Sequence, residues 1–158
     1  MTALTATKRY INPETTVVMF VPTIADYQSP TSAELSAGTE LQGQIADNTG
    51  WSVKSNAVDV PDWGSRYTSQ INGMITADAS ALTLYADQTG NDARTLMPRN
   101  TTGYVVWMDG GNVVGQKMDV YPVSVSYVSK LRTASDPAKI EFGYTITAEP
   151  AEDVAIPS

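Results

Sequence analysis

The chain has 158 residues and a formal net charge of −7, and it contains neither cysteine nor histidine. Those absences exclude disulfides, thiolate nucleophiles and the commonest metal ligand. Hydrophobic residues make up 42% and charged residues 17% of the chain, so it can bury a core and is expected to fold as a single domain. The acidic balance, without a basic cluster, argues against a phosphate-binding surface.

The N-terminal residues 1–14 are expected to form a polar arm. Lys8 and Arg9 are not followed by an apolar segment, so no signal peptide is expected. The longest wholly aliphatic or aromatic run, Val17 to Val21, is far shorter than the roughly 20 residues that a membrane-spanning helix needs. We therefore expect a protein that does not enter a membrane.

Strand signals recur through residues 15–148, which are the predicted β domain. β-branched or alternating segments that end at proline or at turn residues are typical of strands. Four such segments occur in the first half: Thr15–Val21, Trp51–Val60, Ser69–Thr76 and Ala81–Ala86. Within the third, Ile71 and Ile75 are expected on one face, with Gly73 between them.

Residues 25–50, between the first two of these strands, are rich in Ser, Thr, Gly and Ala. Thr31 to Glu34 matches a capping box, so we expect at most one helical turn in an otherwise irregular, mobile loop. A loop of this length in a compact domain is usually functional or disordered.

The second half contains the best helix and the best hairpin signals. Asn91 to Met97 begins with capping residues and is followed by Pro98, which predicts one short helix. Gly103–Met108 and Val113–Met118 flank the glycine-rich turn Asp109–Asn112, which predicts a β-hairpin.

The two clearest strands follow, because their apolar residues alternate strictly with polar or small ones. The apolar positions are expected to be core: Val123, Val125, Tyr127, Ile140, Phe142, Tyr144 and Ile146. Residues 149–158 carry three carboxylates and no base and are expected to form an acidic tail. Together the elements predict a mainly β, single-domain antiparallel β-sandwich or barrel with one short flanking helix.

Five phrases of the sequence resemble those of the major tail proteins, or tail tube subunits, of long-tailed siphophages. The phrases are Pro30–Leu41 (PTSAELSAGTEL), Val58–Tyr67 (VDVPDWGSRY), Gln70–Thr76 (QINGMIT), Gly103–Gly111 (GYVVWMDGG) and Asp119–Val125 (DVYPVSV). The resemblance extends over about Thr15 to Pro150 and concerns overall layout, not a catalytic signature.

The resemblance implies a structural protein of the virion tail that is assembled in the host cytoplasm. Its subunits would join into homo-hexameric rings, and the rings would stack into a tube through which genomic DNA passes without specific binding. Further partners would be the tape measure, tail terminator and baseplate proteins. It implies no cofactor and no metal.

A subunit of this kind needs contacts between rings and between neighbours. The long loop 25–50 is the predicted contact between rings, with Glu34, Leu35, Glu40 and Leu41 as candidate residues. Trp51 and Trp63 lie at loop ends, where interfaces also favour aromatic residues, and they are the candidate interface aromatics. A sugar-stacking platform is the less favoured interpretation of the same pair.

Other chemistry finds less support in the sequence. Asp59 and Asp62 could be paired carboxylates or calcium ligands, although a turn at a strand end explains them better. No nucleophile and base occur together, so an enzyme is not expected. The alternatives to a tail tube subunit are a monomeric β-sandwich binding or decoration module that recognises a glycan or a protein, and a head–tail completion protein.

Overall fold

A computed structural model describes all 158 residues, and its strands pair in antiparallel fashion throughout. The elements are β1 Val17–Val21, α1 Ser32–Ser36, β2 Thr39–Glu40, β3 Ile45–Thr49, β4 Val53–Val60, β5 Ser69–Ala77, β6 Ser80–Tyr85, α2 Ala93–Leu96, β7 Thr102–Met108, β8 Lys117–Leu131, β9 Lys139–Ile146 and β10 Ala151–Ala155. A short 3-10 turn, Gln42–Gln44, precedes β3. The predicted mainly β, antiparallel fold is confirmed.

The residues group into two compact units, and the first consists of residues 1–43, 104–120 and 151–158. Its strands follow the order β2, β1, β7 and the first part of β8, and β10 also pairs with β8. One cluster of buried side chains in this unit comes from β1, β7, β8, β10, α1 and two adjoining loop positions: Met19, Val21, Ile24, Leu35, Val106, Met108, Met118, Val120, Ala151 and Ile156. Leu35 is the one that α1 contributes.

The second unit consists of residues 44–103 and 121–150. Its main sheet has the order β8, β9, β6, β3. Phe142 of β9 lies between its register partners Leu82 on β6 and Val128 on β8, and it is fully buried. Strands β4 and β5 form a separate two-stranded sheet.

Both short helices begin at capping residues that the sequence identifies. Thr31 and Glu34 form the predicted capping box of α1. At α2, the Asp92 side chain accepts hydrogen bonds from the backbone N–H of Arg94 at 3.0 Å and from its Nη2 at 2.7 Å. The side-chain hydrogen bond from Arg94 is the largest cause that lowers the pKa of Asp92 to about 2. The predicted helix over Asn91 to Met97 is thus confirmed as α2.

One predicted core residue, Tyr127, lies outside the core because β8 contains a bulge. Val125 pairs with Tyr144, but Tyr127 pairs with Gly143, so β8 has one residue more than β9 at this point. A one-residue insertion moves every later side chain to the other face. Tyr127 is 40% exposed, and its hydroxyl donates to Glu141 Oε1 at 2.6 Å.

Most of the other predicted core positions are confirmed. Val123, Val125, Ile140, Phe142 and Tyr144 are buried as expected, and Ile146 is half-buried.

The predicted hairpin over residues 103–118 has a longer connection than its turn signal suggests. Strand β8 begins at Lys117, and both Val113 and Val114 are exposed in the loop before it. Gly111 and Gly115 adopt positive φ angles of 89° and 84°. These left-handed residues bend the chain in two places, which prevents the second arm from starting at Val113.

The alternation of apolar and polar residues does not predict two of the strands, β3 and β10. β3 lies inside the segment 25–50, which was expected to be a loop, and it pairs with β6. β10 lies inside the expected tail 149–158, pairs with β8 and anchors its ends through buried Ala151 and Ile156. Each strand contains at least two consecutive exposed polar residues, which interrupt the alternation that the sequence pattern requires.

The sequence pattern predicts that Phe142 and Tyr127 are both core residues. The bulge in β8 predicts instead that their replacement by alanine lowers the free energy of unfolding by different amounts. Phe142→Ala should lower the free energy of unfolding by about 3–5 kcal/mol, as is typical of large core truncations. Tyr127→Ala should cost only about 1 kcal/mol because its ring is partly exposed. Urea unfolding of both variants checks this, and equal losses would contradict the register described for β8 and β9.

Candidate assembly site on the β4–β5 hairpin

The β4–β5 hairpin exposes several large apolar side chains of the second unit. Val58 pairs with Ile71 and Val60 with Ser69, so Val58, Val60 and Ile71 share one face. These three side chains are 40–59% exposed, and Met74 is 79% exposed. The opposite face is polar there, and Gln70 Nε2 donates to Asp59 Oδ1 at 2.7 Å. The distal half of the hairpin is therefore amphipathic, with its apolar side in solvent.

A bulge in β5 overturns the expectation that Ile71 and Ile75 share a face. Ile71 pairs with Val58 but Ile75 pairs with Ser55, so four residues of β5 match three of β4. The extra residue places the two isoleucines on opposite faces. Gly73 lies at the bulge, where a Cβ would be 2.5 Å from Val58 Cγ2 and 2.7 Å from the Asn56 carbonyl oxygen, so the strands can approach closely only at glycine.

The tip of the hairpin, residues 61–68, presents large side chains from a braced loop. Asp62 Oδ1 accepts from the backbone N–H of Gly64 at 2.8 Å, and Ser65 Oγ accepts from that of Tyr67 at 3.0 Å. Trp63 has a relative exposure of 107% and Tyr67 of 77%. Asp59 and Asp62 are thus occupied by hairpin and turn contacts, as the sequence analysis favours.

A shallow depression lies at the root of the hairpin, where Ile75 of the proximal half meets the residues after β9. Its volume is about 210 Å³. Apolar side chains form most of its wall, and Glu149 is its one charged residue. The lining residues are Val53, Ile75, Ala77, Ile146, Thr147, Ala148, Glu149 and Pro150.

The two candidate tryptophans have different environments. Trp51 is partly buried: its Nε1 donates to the Ala81 carbonyl at 3.3 Å, and its ring lies 5.2 Å from Tyr121 and 5.4 Å from Tyr144. Trp51 thus packs within the second unit. Trp63 stands in solvent at the tip and remains the interface candidate.

The four candidates for contacts between rings lie in the first unit, and two of them are core residues. Leu35 and Leu41 are buried, so their side chains cannot reach a partner. Glu34 accepts from the backbone N–H groups of Ala25 and Thr31, both at 2.8 Å, and these bonds, that from Ala25 first, lower its pKa. Glu40 is exposed and accepts from Gln42 Nε2 at 2.6 Å.

An acidic group surrounds β10 in the first unit. Asp119 of β8 accepts at Oδ1 from the backbone N–H of Asp153 at 2.9 Å. Burial is the main cause that raises the pKa of Asp119, and the nearby charges of Asp109 and Asp153 raise it further. Ionised Asp119 therefore destabilises this part of the fold at neutral pH.

The structure contains no group of three or more Asp or Glu side chains arranged to hold a metal ion. None of its helices has both the length and the apolar character needed to cross a membrane.

A family model described as phage tail tube protein matches residues 5–158 of the chain. No curated protein matches it by sequence. Its fold is similar to a chain from the virion of a native gene transfer agent particle, with 10% identity, a TM-score of 0.55, and coverage of 90% of this chain and 98% of that one.

Two further solved structures share the fold. A chain from the tail of an empty gene transfer agent particle, refined with C6 symmetry, has 9% identity and a TM-score of 0.57 over 90% of this chain and 98% of that one. A chain from the six-fold symmetrised baseplate of the anti-feeding prophage has 9% identity and a TM-score of 0.54 over 95% of each chain. At these identities the likeness is one of fold.

The acidic group around β10 predicts that Asp119→Asn raises the stability of the fold by an amount that depends on pH. Asparagine keeps an oxygen for the Asp153 N–H but cannot ionise. Because the folded pKa of Asp119 is raised, wild-type stability falls as the pH rises through its ordinary value of 3.8 and on through the folded pKa. The variant should therefore melt at a higher temperature at pH 7 and at the same temperature near pH 3. Equal gains at both pH values would show that ionisation is not the cause.

Proposed function

Because the chain belongs to the phage tail tube protein family, we propose that copies of it join into hexameric rings and that the rings stack into the tube of a virion tail. The chain is then a structural subunit, and its function appears only on assembly. The observation that carries this proposal is the β4–β5 hairpin, whose apolar face has no cover within the chain.

The hairpin supports assembly for an energetic reason. A two-stranded ribbon is marginally stable by itself in water, and exposed apolar patches mark sites of association. Burying Val58, Val60 and Ile71 against another copy would remove apolar surface from water and would order the ribbon at the same time.

The fold likenesses favour six copies in a ring. Two of the similar structures were determined with six-fold symmetry, and a closed rotation gives a ring while stacking gives a filament. We further propose assembly in the host cytoplasm and contacts with the tape measure, tail terminator and baseplate proteins at the ends of the tube. Exposed Glu40 remains available for a contact between rings.

The net charge of −7 per chain suits a conduit for DNA. An acidic lumen repels phosphates and a neutral lumen does not bind them, so either lets the polymer pass, whereas a basic lining would bind it through counterion release. The same repulsion opposes assembly, so salt should promote polymerisation by screening it over about 8–10 Å.

The conduit proposal predicts that preformed tubes retain no DNA at low salt and that polymer yield rises with salt over the same series. Filter retention of labelled DNA and sedimentation of polymer measure the two quantities. Tight binding of DNA that weakens steeply with salt would identify a nucleic-acid-binding protein instead.

The assembly proposal predicts opposite outcomes for two adjacent lysine substitutions on β5. Ile71→Lys places a charge on the apolar face and should abolish tube formation while leaving the main sheet folded. Asn72→Lys adds the same charge to the opposite, polar face and should assemble like wild type. Electron microscopy and light scattering at rising concentration give the readout.

Circular dichroism is the control, since both variants should melt near the wild-type temperature. Normal tubes from Ile71→Lys would remove the hairpin face from the assembly contact. A wild-type chain that stays monomeric at all concentrations would overturn the proposed function itself.

A further inference from the structure

We propose that the hairpin tip of one copy docks in the depression at the hairpin root of a second copy, with Trp63 in the depression and Arg66 against Glu149. This inference rests on the proposed function, because it names the surface of the partner copy that the hairpin binds. Tip and depression both belong to the second unit.

The tip has the composition of an interface hot spot. Trp63, Arg66 and Tyr67 represent the three residue types in which binding energy concentrates, and all three are exposed. The turn hydrogen bonds of Asp62 and Ser65 brace the loop locally around Trp63 and Arg66. A braced loop loses less conformational entropy on binding than a free one.

The depression has room for a side chain and apolar residues in its lining. Its volume of about 210 Å³ is more than ten times the ~10–15 Å³ of such volume that one water molecule needs. Val53, Ile75, Ile146 and Pro150 give it apolar walls. Filling it with Trp63 would remove apolar surface of both partners from water.

Charge complementarity fixes the orientation of this contact. Arg66 lies three residues after Trp63, and Glu149 lines the depression. Neither residue takes part in an ion pair within the chain. A guanidinium beside the indole would therefore meet the one charged group at the edge of the depression, and the charge has opposite sign.

The occupant must be the tip of another copy, since a chain cannot reach its own depression. The eight residues of β4 separate tip from root, a distance of about 26 Å at ~3.3 Å per residue. Tip and root are different surfaces, so the tip of each copy can dock on the next copy in a head-to-tail series. A head-to-tail contact produces closed rings or continuing filaments.

Cross-linking between two single-cysteine proteins tests the contact, because the natural chain contains no cysteine. Thr68→Cys labels an exposed position of the tip and leaves Trp63, Arg66 and the turn hydrogen bonds intact, and Ala148→Cys labels the depression. The two proteins are mixed, assembled and treated with a short bis-maleimide. A cross-linked dimer is expected from this mixture and not from Thr68→Cys mixed with Ser36→Cys, an exposed position in the first unit.

Charge reversal supplies the second measurement. Arg66→Glu and Glu149→Arg should each raise the concentration needed for assembly by about tenfold, since each places like charges together. The double variant Arg66→Glu/Glu149→Arg should return that concentration to near the wild-type value. Rescue of this kind identifies a direct pair and cannot come from a general loss of stability.

The outcomes separate this inference from the proposed function. Tubes of the two mixed cysteine variants that form without the tip-to-depression cross-link, or a double charge variant no better than the single ones, overturn the docking contact and leave assembly standing. Failure of the wild-type chain to assemble overturns both. A cross-link equally strong with Ser36→Cys would show random collision and would also overturn the contact.

Discussion

The exposed apolar face of the β4–β5 hairpin is the constraint on which this account depends. Two strands alone cannot bury a hydrophobic face, yet Val58, Val60 and Ile71 lie together on one side of the ribbon with 40–59% of each in solvent. The bulge at Gly73 then turns Ile75 to the other side, toward the depression at the root. The hairpin therefore has one apolar surface on its distal half and a second one near its root, on the opposite face.

The main sheet of the second unit differs from the hairpin, because its apolar side chains are already buried within the chain. Phe142, Leu82 and Ile140 are fully buried, and the long pairing of β8 with β9 supports them. This sheet provides a rigid base for the ribbon, while the net charge of −7 keeps free copies apart in solution. Assembly then requires contacts strong enough to exceed that repulsion, which an apolar ribbon with a braced aromatic tip can supply.

The sequence predicts the strands that have a hydrophobic face and fails where the pattern is interrupted. Strict alternation locates the buried Phe142, and capping chemistry locates α2. Alternation also places Tyr127 in the core and Ile71 beside Ile75, and both expectations are wrong because a single inserted residue reverses the faces. β3 and β10 have no alternating signal, because each contains at least two consecutive exposed polar residues. The exposed position of Trp63 suits the interface role expected for it, whereas Trp51, equally close to a loop end, packs against Tyr121 and Tyr144.

Amide hydrogen exchange, compared between the isolated chain and the assembled polymer, tests the central claim most directly. The hairpin amides of residues 53–77 should exchange rapidly in the isolated chain, because few buried contacts hold the ribbon. On assembly they should become strongly protected, while the amides of β6, β8 and β9 should be protected in both states. Equal exchange rates for the hairpin before and after assembly would contradict the claim that another copy of the chain completes it.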